Sequence, residues 1–201
     1  MGNVGIIGRA RVGKDTAGQW LVDNRGYRRV GFADPLKEAA LKLDPIIQAE
    51  ETRGDWGDCD LRISEAVKLF GWEAAKDTYP EVRRILQELG ASIRAIDEDF
   101  WLRAAMAKVR AANEYGFPAV ITDVRYPNEA DSLRRAGFHL IHIERPSVPH
   151  LDHQSEGALT GHDADFSIRN ASDVDTFLGK VELVVERIYT IESRQHYARS
   201  L

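Results

Sequence analysis

Short apolar runs alternate along the chain with longer stretches in which apolar residues recur at helical spacing. The apolar runs predict strands over residues 3–7, 28–32, 119–122, 139–143 and 166–169. The periodic stretches predict helices over residues 14–24, 36–43, 64–70, 81–89, 99–115 and 128–136, with one or two closing helices over 174–192. Almost continuously apolar strands separated by helices are typical of a parallel sheet covered on both faces. We therefore predict an α/β fold, a three-layer α/β/α sandwich around a mostly parallel five-stranded sheet.

The loop between the first predicted strand and the first predicted helix carries the strongest chemical signal. Residues 8–16 read Gly-Arg-Ala-Arg-Val-Gly-Lys-Asp-Thr, which places Lys14 at the start of the helix. Glycines allow backbone N–H groups to turn around a phosphate, and a helix N-terminus adds partial positive charge. The pattern predicts a phosphate-binding loop (P-loop) rather than a glycine turn that only connects two elements. It departs from the usual pattern at Asp15, where serine or threonine is expected, and Thr16 follows one place later.

Composition and charge limit the classes of function that suit this chain. Its 201 residues, 43% hydrophobic and 29% charged, suit one sizeable soluble domain with a small inserted lobe. The net charge of −5 disfavours binding of duplex DNA through a broad basic face, but allows small anionic substrates. Cys59 is the single cysteine, so no internal disulfide can form and a reducing compartment is favoured. The sequence shows no leader pattern and no membrane-length apolar stretch, so we expect a soluble, cytoplasmic protein without a membrane partner.

Polar residues follow the predicted strand at 119–122, and parallel sheets bind ligands at the carboxyl ends of their strands. Asp123 could hold Mg²⁺ there, directly or through water, or could cap the turn before Pro127. Arg125 leaves the same strand end and could grip a phosphate through two hydrogen bonds. Glu129 would either orient Arg125 or act as an acidic residue in the first turn of a helix.

A second cluster of polar residues follows the predicted strand at 28–32. Asp34 is placed to cap the helix at 36–43, and Pro35 suits its first turn. Lys37 lies in the same turn, where a positive charge is unfavourable for the helix unless an anion binds beside it. A solvated surface lysine is the alternative of equal weight.

The helices further along carry more candidates. Residues 44–80 show the least regular pattern, and Arg83 and Arg94 follow on predicted helices. They either clamp the phosphate of a second substrate or form a solvated helical face. Trp101 either packs in the core or lines a pocket, and Arg145 opens a long loop over 145–165 where a mobile cover would lie.

The histidines of this long loop could suggest a metal site. His150, His153 and His162 would need a defined further ligand to hold zinc, and Cys59 is far away in sequence. We therefore do not expect these histidines to bind a metal. The chain also contains no Gly-x-Ser-x-Gly motif, so acyl-enzyme chemistry is without support.

Motifs of one family recur in order along nearly the whole chain. They are Gly13-Lys14-Asp15-Thr16, Asp34-Pro35-Leu36-Lys37, Arg83-x-x-Leu86-Gln87-x-x-Gly90, Arg94-x6-Trp101, Thr122-Asp123-Val124-Arg125-Tyr126-Pro127-Asn128-Glu129, Arg145-Pro146, His153-x-Ser155-Glu156 and Asp165-x-x-Ile168-x-Asn170. Together they resemble the bacteriophage deoxynucleoside monophosphate kinases, a branch of the P-loop nucleoside monophosphate kinases. That family also carries Asp-Thr after the lysine, which explains Asp15. The chain departs from the family at Ala91, where threonine is common after the glycine.

The resemblance implies ATP as the phosphoryl donor, Mg²⁺ as its companion ion and a deoxynucleoside monophosphate as the acceptor. It implies that ATP binds at Arg11, Gly13, Lys14, Asp15, Thr16 and Asn170, whose loop would lie near the adenine. It implies that the acceptor binds at Asp34, Leu36, Lys37, Arg83, Arg94, Trp101 and Glu129. Catalytic roles would fall to Lys14, Arg125 and Arg145, and contacts with Mg²⁺ to Asp15, Thr16 and Asp123. The single kinase domain over 1–201 would include a helical acceptor-binding region over about 35–115 and a lid over about 145–165.

Two other functions fit the same residues. A P-loop kinase for another small acceptor, such as dephospho-coenzyme A, would need a carboxylate base if the acceptor were a hydroxyl, and Asp34 is the candidate. A non-catalytic, nucleotide-binding regulatory module would bind ATP without transferring phosphate. Small nucleotides are the expected partners, with no nucleic acid polymer. The helix at 99–115 would serve either as core or as the face of a homodimer.

Overall fold

Strands and helices alternate in the computed structural model, which describes residues 2–48, 60–148 and 159–199. In these residues the strands are β1 (Val4–Ile7), β2 (Arg28–Arg29), β3 (Ile46–Gln48), β4 (Leu61–Arg62), β5 (Ala119–Ile121), β6 (His139–Glu144) and β7 (Phe166–Arg169). The helices are α1 (Lys14–Arg25), α2 (Asp34–Leu43), α3 (Ile63–Thr78), α4 (Pro80–Ile96), α5 (Phe100–Glu114), α6 (Pro127–Arg135) and α7 (Val174–Arg199). A 3₁₀ turn spans Gly161–Asp163.

Five of the strands in the described residues form one parallel sheet, in the order β2–β5–β1–β6–β7. In β1, at its centre, Val4 pairs with Val120 on one side and with His139 on the other. Parallel neighbours require a crossover connection, and the intervening helices belong to these connections. The predicted α/β class and parallel five-stranded sheet are confirmed.

Helices cover both faces of this sheet. On one face, Val4 belongs to a buried core that it shares with Leu21 of α1 and Val181 of α7. On the other face, a Cβ atom on Gly5 would lie only 2.9 Å from Cδ1 of Leu133 in α6, so helix and strand approach closely there. Successive residues of a strand point to opposite faces, which is why almost every position of β1 is apolar. This is the predicted three-layer arrangement.

The chain divides into two compact units. Residues 1–32 and 105–201 form the sheet unit, which contains the parallel sheet. Residues 33–104 form the helical unit, in which α2, α3 and α4 share a core that includes Ala40, Ala66 and Val82. Within the helical unit, β3 and β4 form a short antiparallel pair.

The helical unit differs most from the sequence-based prediction. The β3–β4 pair lies in the stretch of irregular pattern, because strands of three and two residues are too short to show a period. Helix α3 is interrupted at Gly71 (φ 75°), next to the predicted end at 70, and a second helical segment that was not predicted follows the kink and ends at Thr78. The predicted cap at Asp34 is wrong: α2 begins at Asp34, and Ala33 occupies the N-cap position. Cys59 lies outside the described residues.

Among the helices of the described ranges, none has the length and apolar character needed to cross a lipid bilayer.

Candidate active site

The turn between β1 and α1 depends on its two glycines. Gly8 has φ 139° and Gly13 has φ 108°, in a region of backbone conformation that residues with a side chain rarely adopt. A Cβ atom on Gly8 would lie 2.3 Å from the carbonyl oxygen of Ile143, so the loop backbone presses directly against the end of β6. Arg11 also has positive φ (63°) and lies exposed at the tip of the turn. These positions bend the chain into the loop that the sequence predicts.

Lys14 and the N-terminus of α1 bring positive charge to this loop. Gly13 is the N-cap, and its carbonyl accepts the first helical hydrogen bond, from Ala17 N–H at 3.0 Å. The N–H groups of Lys14, Asp15 and Thr16 therefore belong to the first turn, where a helix has no internal acceptors for them. The Lys14 ammonium donates to the carbonyl oxygens of Gly8 (2.7 Å) and Arg9 (2.6 Å), which holds the charge over the loop. This arrangement can bind a phosphate.

An open pocket lies beside the loop in the sheet unit. It is lined by Gly8, Arg9, Ala10, Lys14, Val124, Arg125 and Leu159. Three of these side chains are cationic. The carboxyl ends of β1 and β5 both contribute to its wall, as expected for a parallel sheet. The structure thus brings Lys14 and Arg125, predicted separately, to one cavity.

Asp15 is tied to the end of β5 by a hydrogen bond. The Thr122 hydroxyl donates to Asp15 Oδ1 at 2.8 Å, and Thr122 is only 2% exposed. The Arg29 guanidinium lies 3.6 Å from the same carboxylate oxygen. Asp15 itself remains largely exposed, and Thr16 is exposed next to it in the first turn of α1. The unusual aspartate therefore has both a hydrogen-bond donor and a cation on its carboxylate.

Asp123 follows β5 at the same edge of the sheet. Its Oδ1 accepts a hydrogen bond from the Phe32 N–H at 3.1 Å, so this carboxylate also braces the chain beyond β2. In the described ranges no group of three or more His, Cys, Asp or Glu side chains could hold a metal by itself. Mg²⁺ bound to a nucleotide needs only one or two protein carboxylates, because phosphates and water supply the other oxygens. The oxygen donors of Asp15, Thr16 and Asp123 fit that requirement.

Glu129 holds the main chain around Arg125. Its Oε2 accepts hydrogen bonds from the N–H groups of Arg125 (2.8 Å) and Tyr126 (3.1 Å), which forms a capping box at the start of α6. Glu129 thus orients the segment through its backbone, while the Arg125 side chain is exposed at the cavity. Both sequence-based readings of Glu129 apply here, since one carboxylate can cap a helix and fix the residue before it.

Asn170 follows β7 and contacts the loop from behind. It is 7% exposed, and its side-chain Nδ2 donates to the Val12 carbonyl oxygen at 2.8 Å. Its backbone N–H donates to the Glu144 carbonyl at 2.8 Å. Arg145 comes next after β6 and is exposed, with its carbonyl accepting from the Val148 N–H at 3.1 Å.

The histidine loop is described only at its two ends. His150 and His153 lie outside the described residues, as does the middle of the predicted lid, residues 149–158. His162 is exposed in the 3₁₀ turn, where its backbone N–H donates to the Thr160 hydroxyl at 3.3 Å.

The candidates of the helical unit are of two kinds. Trp101 is buried and donates its indole N–H to the Gly90 carbonyl at 3.2 Å, which makes it part of the unit's interior. Leu36 packs at the same place, since a Cβ atom on Gly90 would lie 3.2 Å from Leu36 Cδ2. Of the cations, Lys37 lies with its ammonium 5.6 Å from the centre of the Trp72 ring.

The arginines of α4 lie on its exposed surface. Arg83 forms an ion pair with Asp77 and donates from Nε to the Lys76 carbonyl at 3.0 Å. Arg94 is exposed near the end of the same helix. The neighbouring Arg84 is bound on both sides, by Glu81 and by Glu88, and these carboxylates raise its pKa above the ordinary value.

Comparison with known proteins identifies the family. The sequence model described as deoxynucleotide monophosphate kinase matches residues 47–181, about two thirds of the chain. The chain belongs to the deoxynucleotide monophosphate kinase family. The match begins beyond the P-loop, so the loop at 8–16 and the family model are separate observations that agree.

The relatives of this kinase family member described here come from viruses. A protein of Acanthamoeba polyphaga mimivirus, provisionally named a deoxynucleotide monophosphate kinase, is 31% identical over 189 residues, or 89% of this chain and 93% of its own. The deoxynucleotide monophosphate kinase of Escherichia phage RB69 is 23% identical over 75% of this chain and 62% of its own. Among solved structures, a gluconokinase from Sinorhizobium meliloti 1021 matches with a TM-score of 0.50 and 14% identity, covering 96% of this chain and 97% of its own. At that identity the likeness concerns the fold alone.

Sequence reasoning missed three side chains near the P-loop of this kinase family member. Thr122 stands at the carboxyl end of a predicted strand, and that position was the available signal. Arg29 gave no signal, because it falls inside the predicted strand rather than after it. His142 lies in β6 beside the 3₁₀ turn, where a Cβ atom on Gly161 would be 3.4 Å from its Nδ1. Burial lowers the His142 pKa below its ordinary value, an effect that the nearby Glu144 opposes.

Proposed function

We propose that this protein transfers the terminal phosphoryl group of ATP to a deoxynucleoside monophosphate. The observation that carries the proposal is the cavity where Lys14 of the P-loop and Arg125 of the β5 edge meet. Family membership supports a nucleotide acceptor and ATP as the donor. In the transfer, the bond between the γ-phosphorus and the bridging oxygen breaks, and a bond to an oxygen of the acceptor phosphate forms.

The donor phosphates would lie on the loop of the sheet unit. Lys14 and the first N–H groups of α1 would bind their oxygens, with Arg11 and Gly13 completing the loop. Mg²⁺ held there would neutralise charge on the phosphates, and Asp15, Thr16 and Asp123 are the residues that would hold it. The support for this is the set of oxygen donors that Asp15 and Asp123 present at one sheet edge.

Arg125 and Arg145 would stabilise the transferring group by charge. Both side chains are exposed and follow strands of the parallel sheet, which is where ligands of such sheets bind. An acceptor phosphate is already anionic, so its attacking oxygen needs no strong general base. Catalysis would then consist of positioning and charge neutralisation.

The family resemblance assigns residues of the helical unit to the acceptor, and Glu129 of the sheet unit is a further candidate. Lys37, Arg83 and Arg94 supply cations for its phosphate, and Asp34, Leu36 and Trp101 would contact the nucleoside or shape its pocket. The support is the resemblance of these motifs to the family and the exposure of both arginines on α4. Residues 145–165 would act as the lid that excludes water. A cytoplasmic location, in the host if the chain is viral, completes the proposal.

The test is a direct assay of product. The protein is incubated with ATP, Mg²⁺ and dAMP, dCMP, dGMP or dTMP in turn, and the nucleotides are resolved by chromatography. We expect one deoxynucleoside diphosphate for each ADP formed with at least one acceptor. Absence of a diphosphate with every acceptor, from protein that binds ATP, would exclude the proposal and favour a regulatory role.

The other acceptor considered above, dephospho-coenzyme A, is not better supported by the comparisons. The two acceptors can be separated through Asp34, which only a hydroxyl acceptor would need as a base. We expect Asp34→Asn to leave turnover with a deoxynucleotide within about tenfold, since no general base is required for it. Dephospho-coenzyme A included in the product assay provides the direct comparison.

A further inference from the structure

Asn170 presents a buried donor to the P-loop. Its side-chain nitrogen lies 2.8 Å from the Val12 carbonyl oxygen, across a sequence separation of 158 residues. A carbonyl oxygen can only accept, so the nitrogen of the amide must face it, and the orientation of the amide group is fixed by chemistry. The Val12 carbonyl oxygen thus accepts a hydrogen bond from the Asn170 side chain.

This hydrogen bond also determines the direction of the Gly13 N–H. Val12 C=O and Gly13 N–H belong to one planar trans peptide, in which the two bonds point in opposite directions. Because the carbonyl points toward Asn170, the N–H points away from it. Asn170 and Phe177 leave no space for a side chain at position 13, because a Cβ atom on Gly13 would lie 2.9 Å from Asn170 Nδ2 and 3.3 Å from the Phe177 ring.

The sheet fixes the main chain of Asn170, from which its side chain extends. Its N–H donates to the Glu144 carbonyl at 2.8 Å, which extends the pairing of β6 with β7 by one residue. The main chain of Asn170 is therefore held in place, and its short side chain forms the hydrogen bond to the loop. A group held in this way can set the geometry of a second group more closely than one on a flexible loop.

We propose that Asn170 is a positioning residue that turns the Gly13 N–H toward the phosphates of the bound nucleotide. It acts through the Val12–Gly13 peptide, and the adenine is not required for its effect. The inference rests on the proposed function only in placing phosphates on the loop at residues 8–16. A contact between Asn170 and adenine, as the family resemblance implies, would have a different consequence, and the two can be separated by a ligand without a base.

The experiment compares ATP with inorganic tripolyphosphate, which has phosphates but no base, by isothermal titration calorimetry without an acceptor. For Asn170→Ala we expect both affinities to fall by a similar factor of about ten, the loss of one hydrogen bond. Ser167→Ala, at an exposed position of β7, the strand that leads to Asn170, is the control and should leave both affinities unchanged. Weaker ATP binding with unchanged tripolyphosphate binding would overturn the proposal in favour of an adenine contact.

A second measurement requires no variant. It tests whether the Gly13 N–H faces the phosphates and keeps the proposal testable if Asn170→Ala does not fold. In the wild-type protein, labelled with ¹⁵N, tripolyphosphate should shift the Gly13 amide proton downfield as the N–H binds a phosphate oxygen. An unchanged Gly13 resonance at saturating tripolyphosphate would refute the proposal. Both measurements omit the acceptor, so a failure to form deoxynucleoside diphosphate would exclude the proposed function without affecting this inference.

Discussion

The sheet unit holds Lys14 and Asn170 by partly or fully buried hydrogen bonds to the main chain, whereas the helical unit carries its candidate arginines on an exposed helix surface. In the sheet unit, the Lys14 ammonium binds two loop carbonyls and the Asn170 amide binds a third. In the helical unit, Arg83 pairs with the carboxylate of Asp77 and donates to the Lys76 carbonyl at the surface, and the Arg83 and Asp77 side chains are both more than half exposed. These candidate groups of the two units therefore differ in burial.

This difference has a physical consequence for binding. Exposed ion pairs contribute about 0–1 kcal/mol each, so an arginine in such a pair can exchange its carboxylate for a phosphate at little cost. Buried hydrogen bonds to the main chain fix groups before the ligand arrives, which reduces the entropy lost on binding. We therefore expect changes in the sheet unit to alter stability or turnover strongly, and changes in the helical unit to alter acceptor binding selectively.

The largest effect is expected from Lys14→Met, which keeps the length of the side chain and removes its charge. Turnover should fall by about 10²–10³-fold, as for other losses of one transition-state donor. The readout is initial velocity of ADP formation at saturating ATP and acceptor, with circular dichroism to verify folding. Lys180→Met is the matched control, since Lys180 also donates to a backbone carbonyl, that of Arg169 at 2.9 Å, but outside the loop. Full turnover by folded Lys14→Met would contradict the assignment of Lys14.

A pair of glycine substitutions compares the two units in stability. In the sheet unit, Gly8→Ala places a Cβ atom 2.3 Å from the Ile143 carbonyl at a φ of 139°, so the backbone must move. We expect a loss of about 3 kcal/mol in the free energy of unfolding by urea. In the helical unit, a Cβ atom on Gly90 would meet only the flexible end of Leu36, at 3.2 Å. Alanine is also favoured over glycine inside a helix by about 1 kcal/mol, so we expect Gly90→Ala to lose less stability than Gly8→Ala. Equal losses in both variants would show that the loop is no more constrained than the helix.

The sequence predicted the regular parts of this molecule because they carry repeated local signals. The apolar runs of β1, β5 and β6 and the glycine–lysine loop each lie within a few adjacent residues. The contacts that complete the site do not: Thr122 reaches Asp15 over 107 positions, and Asn170 reaches Val12 over 158. No local pattern encodes such a partner, so the role of each residue had to come from the fold.

The helical unit was harder to predict for a different reason. Its strands β3 and β4 are too short for a period, and Gly71 interrupts the pattern of α3 without ending its helical course. The motif around Arg83 could be read from sequence as a phosphate clamp or a solvated face. Its ion pair with Asp77 leaves it on the surface, and ligand binding must distinguish the two readings.

The smallest effect, and the most selective, is expected from Arg83→Gln. If Arg83 exchanges Asp77 for the acceptor phosphate, the KM for the deoxynucleotide should rise about tenfold, the value of one charge-assisted hydrogen bond, with the KM for ATP almost unchanged. Arg84→Gln is the matched control on the next residue of α4. Arg84 is bound by two carboxylates, Glu81 and Glu88, both of which a phosphate would have to displace, so its loss should leave both KM values almost unchanged. Similar KM increases for the deoxynucleotide in the two variants would mean that α4 contributes only a general positive charge, and that Arg83 has no specific role in acceptor binding.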